Sequence, residues 1–179
     1  MQNLNQMKKG GGFSLIELII VLGVISVLAG AIYYAKDRLF GSIDSQKEAT
    51  TYFQLITVAQ EGFGLASSYA DVDADWLVGT GQVPPEWVDG TDIRNSYDGL
   101  VSIGPTGPGN RQLLLVSENV DSEDCHVIVR NMARGATLSM GTNGSKTNIK
   151  AEPSEEFDPV AAQNACNASD PVALNIVTN

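Results

Sequence analysis

Gly10-Gly11-Gly12-Phe13-Ser14-Leu15-Ile16-Glu17-Leu18-Ile19-Ile20 opens an apolar run that continues to Ala35. The segment ahead of it, Met1 to Gly12, carries Lys8 and Lys9 and no acid. No charged residue occurs from Leu18 to Ala35. As a helix that stretch is about 27 Å long at 1.5 Å per residue, close to the thickness of a hydrocarbon core. Lys36, Asp37 and Arg38 then end it. Glu17 is the anomaly. A charge within a membrane span costs roughly 2.5–3.5 kcal/mol on insertion scales, and a buried carboxylate calls for a partner.

An ordinary secretory signal peptide has a shorter apolar region and a small-residue cleavage site, whereas this run passes into more helical pattern. A plain signal anchor accounts for the length and the flanking lysines, with orientation set by the positive-inside bias. It explains neither Glu17 nor the glycines. Gly10 to Leu18 resembles the type III signal of type IV prepilins and pseudopilins. That resemblance implies cleavage by a prepilin peptidase between Gly12 and Phe13, N-methylation of Phe13, and a role for Glu17 in joining subunits. The partner for Glu17 would be the α-amine of Phe13, and such a pair would set axial register, as buried polar groups do in coiled coils. Snorkelling of Glu17 to the headgroups is the simpler alternative.

Beyond the apolar run, Ala49, Tyr52, Phe53, Leu55, Ile56, Ala59, Phe63 and Ala66 recur at three- and four-residue steps. This is an amphipathic helix stripe, with Gln46, Lys47, Glu48, Gln54 and Gln60 interleaved. No proline occurs between Phe13 and Val83, so one helix is expected from about Ser14 to Ser68. Where many members of the resembling family carry a proline, this chain has Tyr34. Gly23 and Gly30 are the nearest helix weakeners, at about 1 kcal/mol each relative to Ala. They are candidates for local loosening of the helix in a filament, or small residues that permit close helix packing.

From Asp71 the composition shifts to Gly, Pro, Asn and Asp. Leu100–Ile103 and Leu113–Val116 read as strands on either side of a turn region at 104–109. Ser122-Glu123-Asp124 starts a helix whose apolar face is Cys125, Ile128, Val129 and Met132, with Gly135 suited to a C-cap. Ala136–Met140, Thr147–Ala151 and Ala173–Val177 are further strand candidates. Asp158-Pro159 reads as an N-cap and first helical residue, with Cys166 at the far end. The expected architecture is α+β: a long N-terminal helix, its apolar half protruding, packed on a C-terminal antiparallel β-sheet head. The boundaries follow: a leader at 1–12, a membrane and assembly helix at 13–68, a head at 69–179.

Two cysteines, Cys125 and Cys166, allow a single pairing in an exported protein; two reduced, buried thiols are the alternative. The chain has 179 residues and a formal net charge of −10 with only 11 Lys and Arg. There is no basic stripe, so no nucleic-acid site is expected, and the acidic surface is solubilising. No cofactor and no metal is expected. Asp71-Val72-Asp73-Ala74-Asp75 begins like an EF-hand loop, but Trp76 and Gln82 occupy the positions that need Gly and Glu; a solvated acidic turn is the better reading. Gly141–Thr147 lacks the glycine before lysine of a phosphate-binding loop. His126, the one histidine, lies beside a cysteine rather than at ligand spacing.

Val83-Pro84-Pro85-Glu86-Trp87, a glycine-rich strand region and Cys125 on a helix together resemble type IVb pilins, in particular the major pilins of conjugative thin pili and enteric relatives. The resemblance implies a non-enzymatic, structural subunit that waits in the bacterial inner membrane with its head in the periplasm, then polymerises with copies of itself into an extracellular filament. Implied partners are prepilin peptidase, an inner-membrane platform protein with its assembly ATPase, an outer-membrane secretin and minor pilins. Adhesion, conjugation and aggregation all use this plan. A minor pilin, a type II secretion pseudopilin, or a signal-anchored periplasmic binding domain that never polymerises are the alternatives.

Overall fold

The computed structural model describes residues 15–134, 138–142, 148–150 and 155–178, with backbone only at 34–43, 138 and 148. The described residues open in helix α1, Leu15–Phe63. It stops short of the expected Ser68 because Gly64 follows Phe63. A Cβ at Gly64 would lie 2.7 Å from the Gln60 carbonyl, and the Ala66 N–H turns back to the Phe63 carbonyl at 2.8 Å. Ala66 is therefore exposed beyond the helix end. By its internal contacts the chain divides into residues 1–40 and 41–179.

In the first unit every side chain from Leu15 to Tyr33 is exposed, apolar residues included. In the second unit the α1 stripe is largely as the periodicity predicts. Ala49, Tyr52, Leu55, Ile56 and Ala59 are buried, and Phe53 and Phe63 are half-buried against them. One of the interleaved polar residues departs from the pattern: Glu48 has no exposed surface.

Helix α2 (Ala74–Gly79) follows a turn. Two short strands, β1 (Val88–Asp89) and β2 (Asp92–Arg94), form a tight hairpin. Strand β3 (Leu100–Thr106) extends past the expected Ile103 and takes in Gly104 and Pro105. Proline is tolerated there because β2 pairs only with Leu100 and Val101, so Pro105 lies where no β2 neighbour needs its missing N–H. The turn proper begins at Gly107, and Gly107 and Gly109 both take positive φ. Strand β4 (Gln112–Val120) pairs back along β3. Its buried residues Leu113, Leu115 and Ser117 alternate, then a register shift between Ser117 and Val120 resets the phase.

Helix α3 (Ser122–Met132) buries the four residues expected of its apolar face; its proposed cap Gly135 lies outside the described residues. Strands β5 (Leu138–Thr142) and β6 (Asn148–Lys150) form the next pair. Helix α4 (Pro159–Cys166) is capped by Asp158, whose carboxylate accepts from the N–H groups of Val160 and Ala161 at 2.8 and 3.2 Å. Strand β7 (Val172–Thr178) closes the order β1-β2-β3-β4-β7-β5-β6, with each described pairing antiparallel. The last strand thus lies inside the sheet, between β4 and β5. Val172, Leu174, Ile176 and Thr178 of β7 face the core. The α1 stripe and the apolar faces of α3 and α4 bury into that same cluster, making a two-layer α+β unit.

Candidate functional site

The first unit contains a 19-residue helical span, Leu15–Tyr33, long and apolar enough to cross a membrane. Its single ionisable side chain before Tyr33 is Glu17, one turn from the start of the described helix. Ser26 satisfies its own hydroxyl by donating to the Leu22 carbonyl at 2.8 Å, a local bond open to Ser inside helices. The helix is continuous through Gly23 and Gly30. A Cβ added at either would meet nothing within 4 Å, so no contact among the described residues requires glycine there. Gly12 and Phe13, the expected cleavage pair, lie outside the described residues.

In the second unit, α1 carries a buried polar patch above its apolar stripe. Ser45, Glu48, Thr51 and Tyr52 are all buried. Tyr52 shares a 2.6 Å hydrogen bond with Ser117 of β4. Glu48 accepts the main-chain N–H of Ser96 at 2.7 Å through Oε1, and its Oε2 has no hydrogen-bond partner among the described residues. Burial pushes the Glu48 carboxyl above its ordinary range, opposed by the Ser96 bonds and by Tyr52. Tyr52 is likewise pushed up by burial and by the Glu48 charge. Ser45 donates to Asp124 of α3.

The segment that Glu48 holds is the β2–β3 turn, organised by Asn95. Asn95 Oδ1 accepts from the N–H groups of Tyr97 (3.0 Å) and Gly99 (2.7 Å). Asn95 N–H donates to the Gly99 carbonyl at 2.9 Å, and Asp98 N–H to the Asn95 carbonyl at 3.1 Å. Asn95 Nδ2 reaches Ser117 Oγ and the Glu118 carbonyl at 2.8 and 2.6 Å. The Ser96 N–H is the donor in this turn that goes to the helix, to Glu48. Lys47, one residue earlier on α1, is exposed and pairs with Glu86 at 2.8 Å; such a pair is worth little.

Cys125 and Cys166 form a disulfide, with Cα atoms 5.8 Å apart and both residues fully buried. It joins α3 to α4. His126 lies next to Cys125 in sequence, half-buried, with Nε2 at 3.3 Å from Asn167 Oδ1. Of the acidic run at 71–75, Asp73 is the N-cap of α2, accepting from the Trp76 N–H at 2.8 Å. The expected solvated turn is present at Asp71, and the run then continues into a helix start that was not expected. Sequence reasoning placed Glu48 among polar interleaving residues and passed over Asn95. A signal for Glu48 was present: Ser45, Glu48, Tyr52, Leu55 and Ala59 follow one another at three- and four-residue steps, so Glu48 is in phase with the buried stripe.

A family model described as the prokaryotic N-terminal methylation motif matches residues 7–33. A second, described as PilS N terminal, matches residues 44–179. No curated protein gives a significant match. Among solved structures, the crystal structure of TcpA, a type IV pilin from Vibrio cholerae El Tor biotype, superposes with a TM-score of 0.53. That match covers 75% of this chain and 99% of the other at 11% identity, a likeness of fold. The PilS and TcpA matches are consistent with the type IVb subgroup. With the methylation motif at its N-terminal side and the PilS model spanning most of the remaining sequence, the chain belongs to the type IV pilin family.

Proposed function

We infer that this pilin is the structural subunit of a type IV pilus, held in the inner membrane by Leu15–Tyr33 and polymerised through that same helix. The observation that carries the reading is an apolar helical span exposed at every described side chain, with Glu17 as its lone charge. In a bilayer lipid covers such a surface; in a filament the equivalent surfaces of other copies cover it. The leader is residues 1–12. Cleavage after Gly12 frees the Phe13 amine, a cation that Glu17 meets in the assembled bundle, since an ion pair removed from water needs its partner close. Residues 13–63 then act as the assembly helix and the sheet-bearing unit forms the filament wall, with Cys125–Cys166 formed in the oxidising periplasm. Prepilin peptidase processes the chain. A platform protein, an assembly ATPase, a secretin and minor pilins complete the machinery. Adhesion, conjugation or aggregation is the task of the finished filament. The family and fold are structural rather than enzymatic.

Mass analysis of the mature N-terminus, paired with Glu17→Ala, tests this. The expected result is a methylated Phe13 terminus in both chains and surface filaments in the unmodified chain alone. A mature protein still beginning at Met1, or normal filaments from the Glu17→Ala chain, overturns it.

A further inference from the structure

We propose that Glu48 is held as a neutral acid in the folded head, and that its ionisation loosens the grip of α1 on the β2–β3 turn, making this contact a pH-sensitive joint. The geometry is one-sided. The side chain has no exposed surface. One oxygen accepts the main-chain N–H of Ser96, with the Ser96 hydroxyl and the Tyr52 phenol also acting on the carboxyl, and the other has no hydrogen-bond partner among the described residues. A buried carboxylate is stable when donors or a cation satisfy both of its oxygens; here one oxygen is left without a partner, burial outweighs the donors on the other side, and protonation is the cheaper solution.

The cation acting on the carboxyl is Lys47, which opposes its burial less than the Ser96 and Tyr52 bonds do. From α1 come the Tyr52 phenol, bonded to Ser117 of β4, and the Lys47 ammonium, which is exposed and engaged by Glu86. From the β2–β3 turn comes Tyr97, whose phenol burial pushes up. From α3 comes Asp124, a second acid, bonded to Ser45. Burial raises the Glu48 carboxyl above its ordinary value, so the folded state binds this proton more tightly than the unfolded chain does. The stabilising contribution of the neutral acid is complete below the unfolded value and is lost as pH rises through the folded one. The joint is therefore firm in acid and weaker toward neutral and mildly alkaline pH.

The test is hydrogen exchange at the Ser96 amide, with a ¹³C titration of the Glu48 carboxyl, in the full-length chain in detergent micelles. After correction for intrinsic base catalysis, Ser96 protection is expected to fall at least about tenfold between pH 5 and pH 8, the size of losing one buried hydrogen bond. Glu48→Gln keeps the acceptor for Ser96 and removes the charge. Its protection should stay level over that range, and its denaturation midpoint should match the unmodified chain in acid and exceed it at pH 8. Level Ser96 protection in the unmodified chain, an equal fall in Glu48→Gln, or a Glu48 carboxyl that titrates in the ordinary glutamate range overturns the proposal. The carboxyl titration needs no variant, so the outcome does not hinge on Glu48→Gln folding.

Discussion

Gly99 shows how little room the head leaves around its central turn. A Cβ built there would collide with the Glu118 carbonyl, with Asn119 Cβ next at 2.8 Å. Both obstacles are anchored: the Glu118 carbonyl accepts from Asn95 Nδ2, and Asn119 donates through Nδ2 to the Tyr97 carbonyl. A methyl group at 99 must therefore push β4 away from the turn or break the Asn95 bonds. Overpacking of this kind costs about 1–3 kcal/mol. Gly99→Ala is expected to lower the denaturation free energy by that amount and to weaken exchange protection at Tyr97 and Gly99, whose amides depend on Asn95 Oδ1. Stability within about 0.5 kcal/mol of the unmodified chain would count against this account of the turn. The same scale explains why Glu48 was hard to see. Its type reads as surface, and only its phase relative to Tyr52 and Leu55 reads as core. Glu17 was legible for the opposite reason, as a lone charge against eighteen uncharged positions that follow it.

Among the elements, those with local signals were legible. The Asp158-Pro159 pair names the start of α4 because a short acid accepts the first free N–H groups and proline has none to lose. The alternation in 172–178 names a strand, since a half-buried sheet repeats every two residues. The β1–β2 hairpin, with strands of two and three residues, is too short to show any period. The six residues of α2 escaped notice because the acids before it resemble a turn. The place of β7 between β4 and β5 was not legible at all, because pairing partners so distant in sequence leave no local trace. The two acids ahead of α3 and α4 offer a comparison at this scale. Asp158 makes capping bonds to two amides, whereas Asp121 makes none and its carboxyl is pushed up by burial and by Asp124, Asp170 and Glu123. Asp158→Ala is expected to lose about 1 kcal/mol of stability in chemical denaturation, and Asp121→Ala to lose none. Equal losses from the two would show that capping is not what distinguishes them.

For the head as a whole, β7 is the strand on which closure depends. Strands β1 to β4 form one antiparallel run and β5–β6 another, and in the sheet order β7 alone lies between the two. The chain reaches β7 only after passing through α3, β5, β6 and α4, and the Cys125–Cys166 bond spans that excursion, with a sequence separation of 41. Closing a loop of this length in the unfolded chain corresponds to about 3–4 kcal/mol in the chain-entropy model. Replacing both cysteines by alanine leaves the small apolar volume of two buried side chains and introduces no hydroxyl, so the loss should come chiefly from the freed loop. The full-length Cys125→Ala/Cys166→Ala chain in micelles is expected to lose about 3–4 kcal/mol in denaturation. The loss should also be uneven. Amides of β5 and β6, which sit inside the loop, should lose exchange protection well before those of β3 and β4, which are held to each other by six register pairs outside it. A loss below about 1 kcal/mol, or a uniform decline across all strands, would mean that the β7 pairings organise the loop without help from the disulfide.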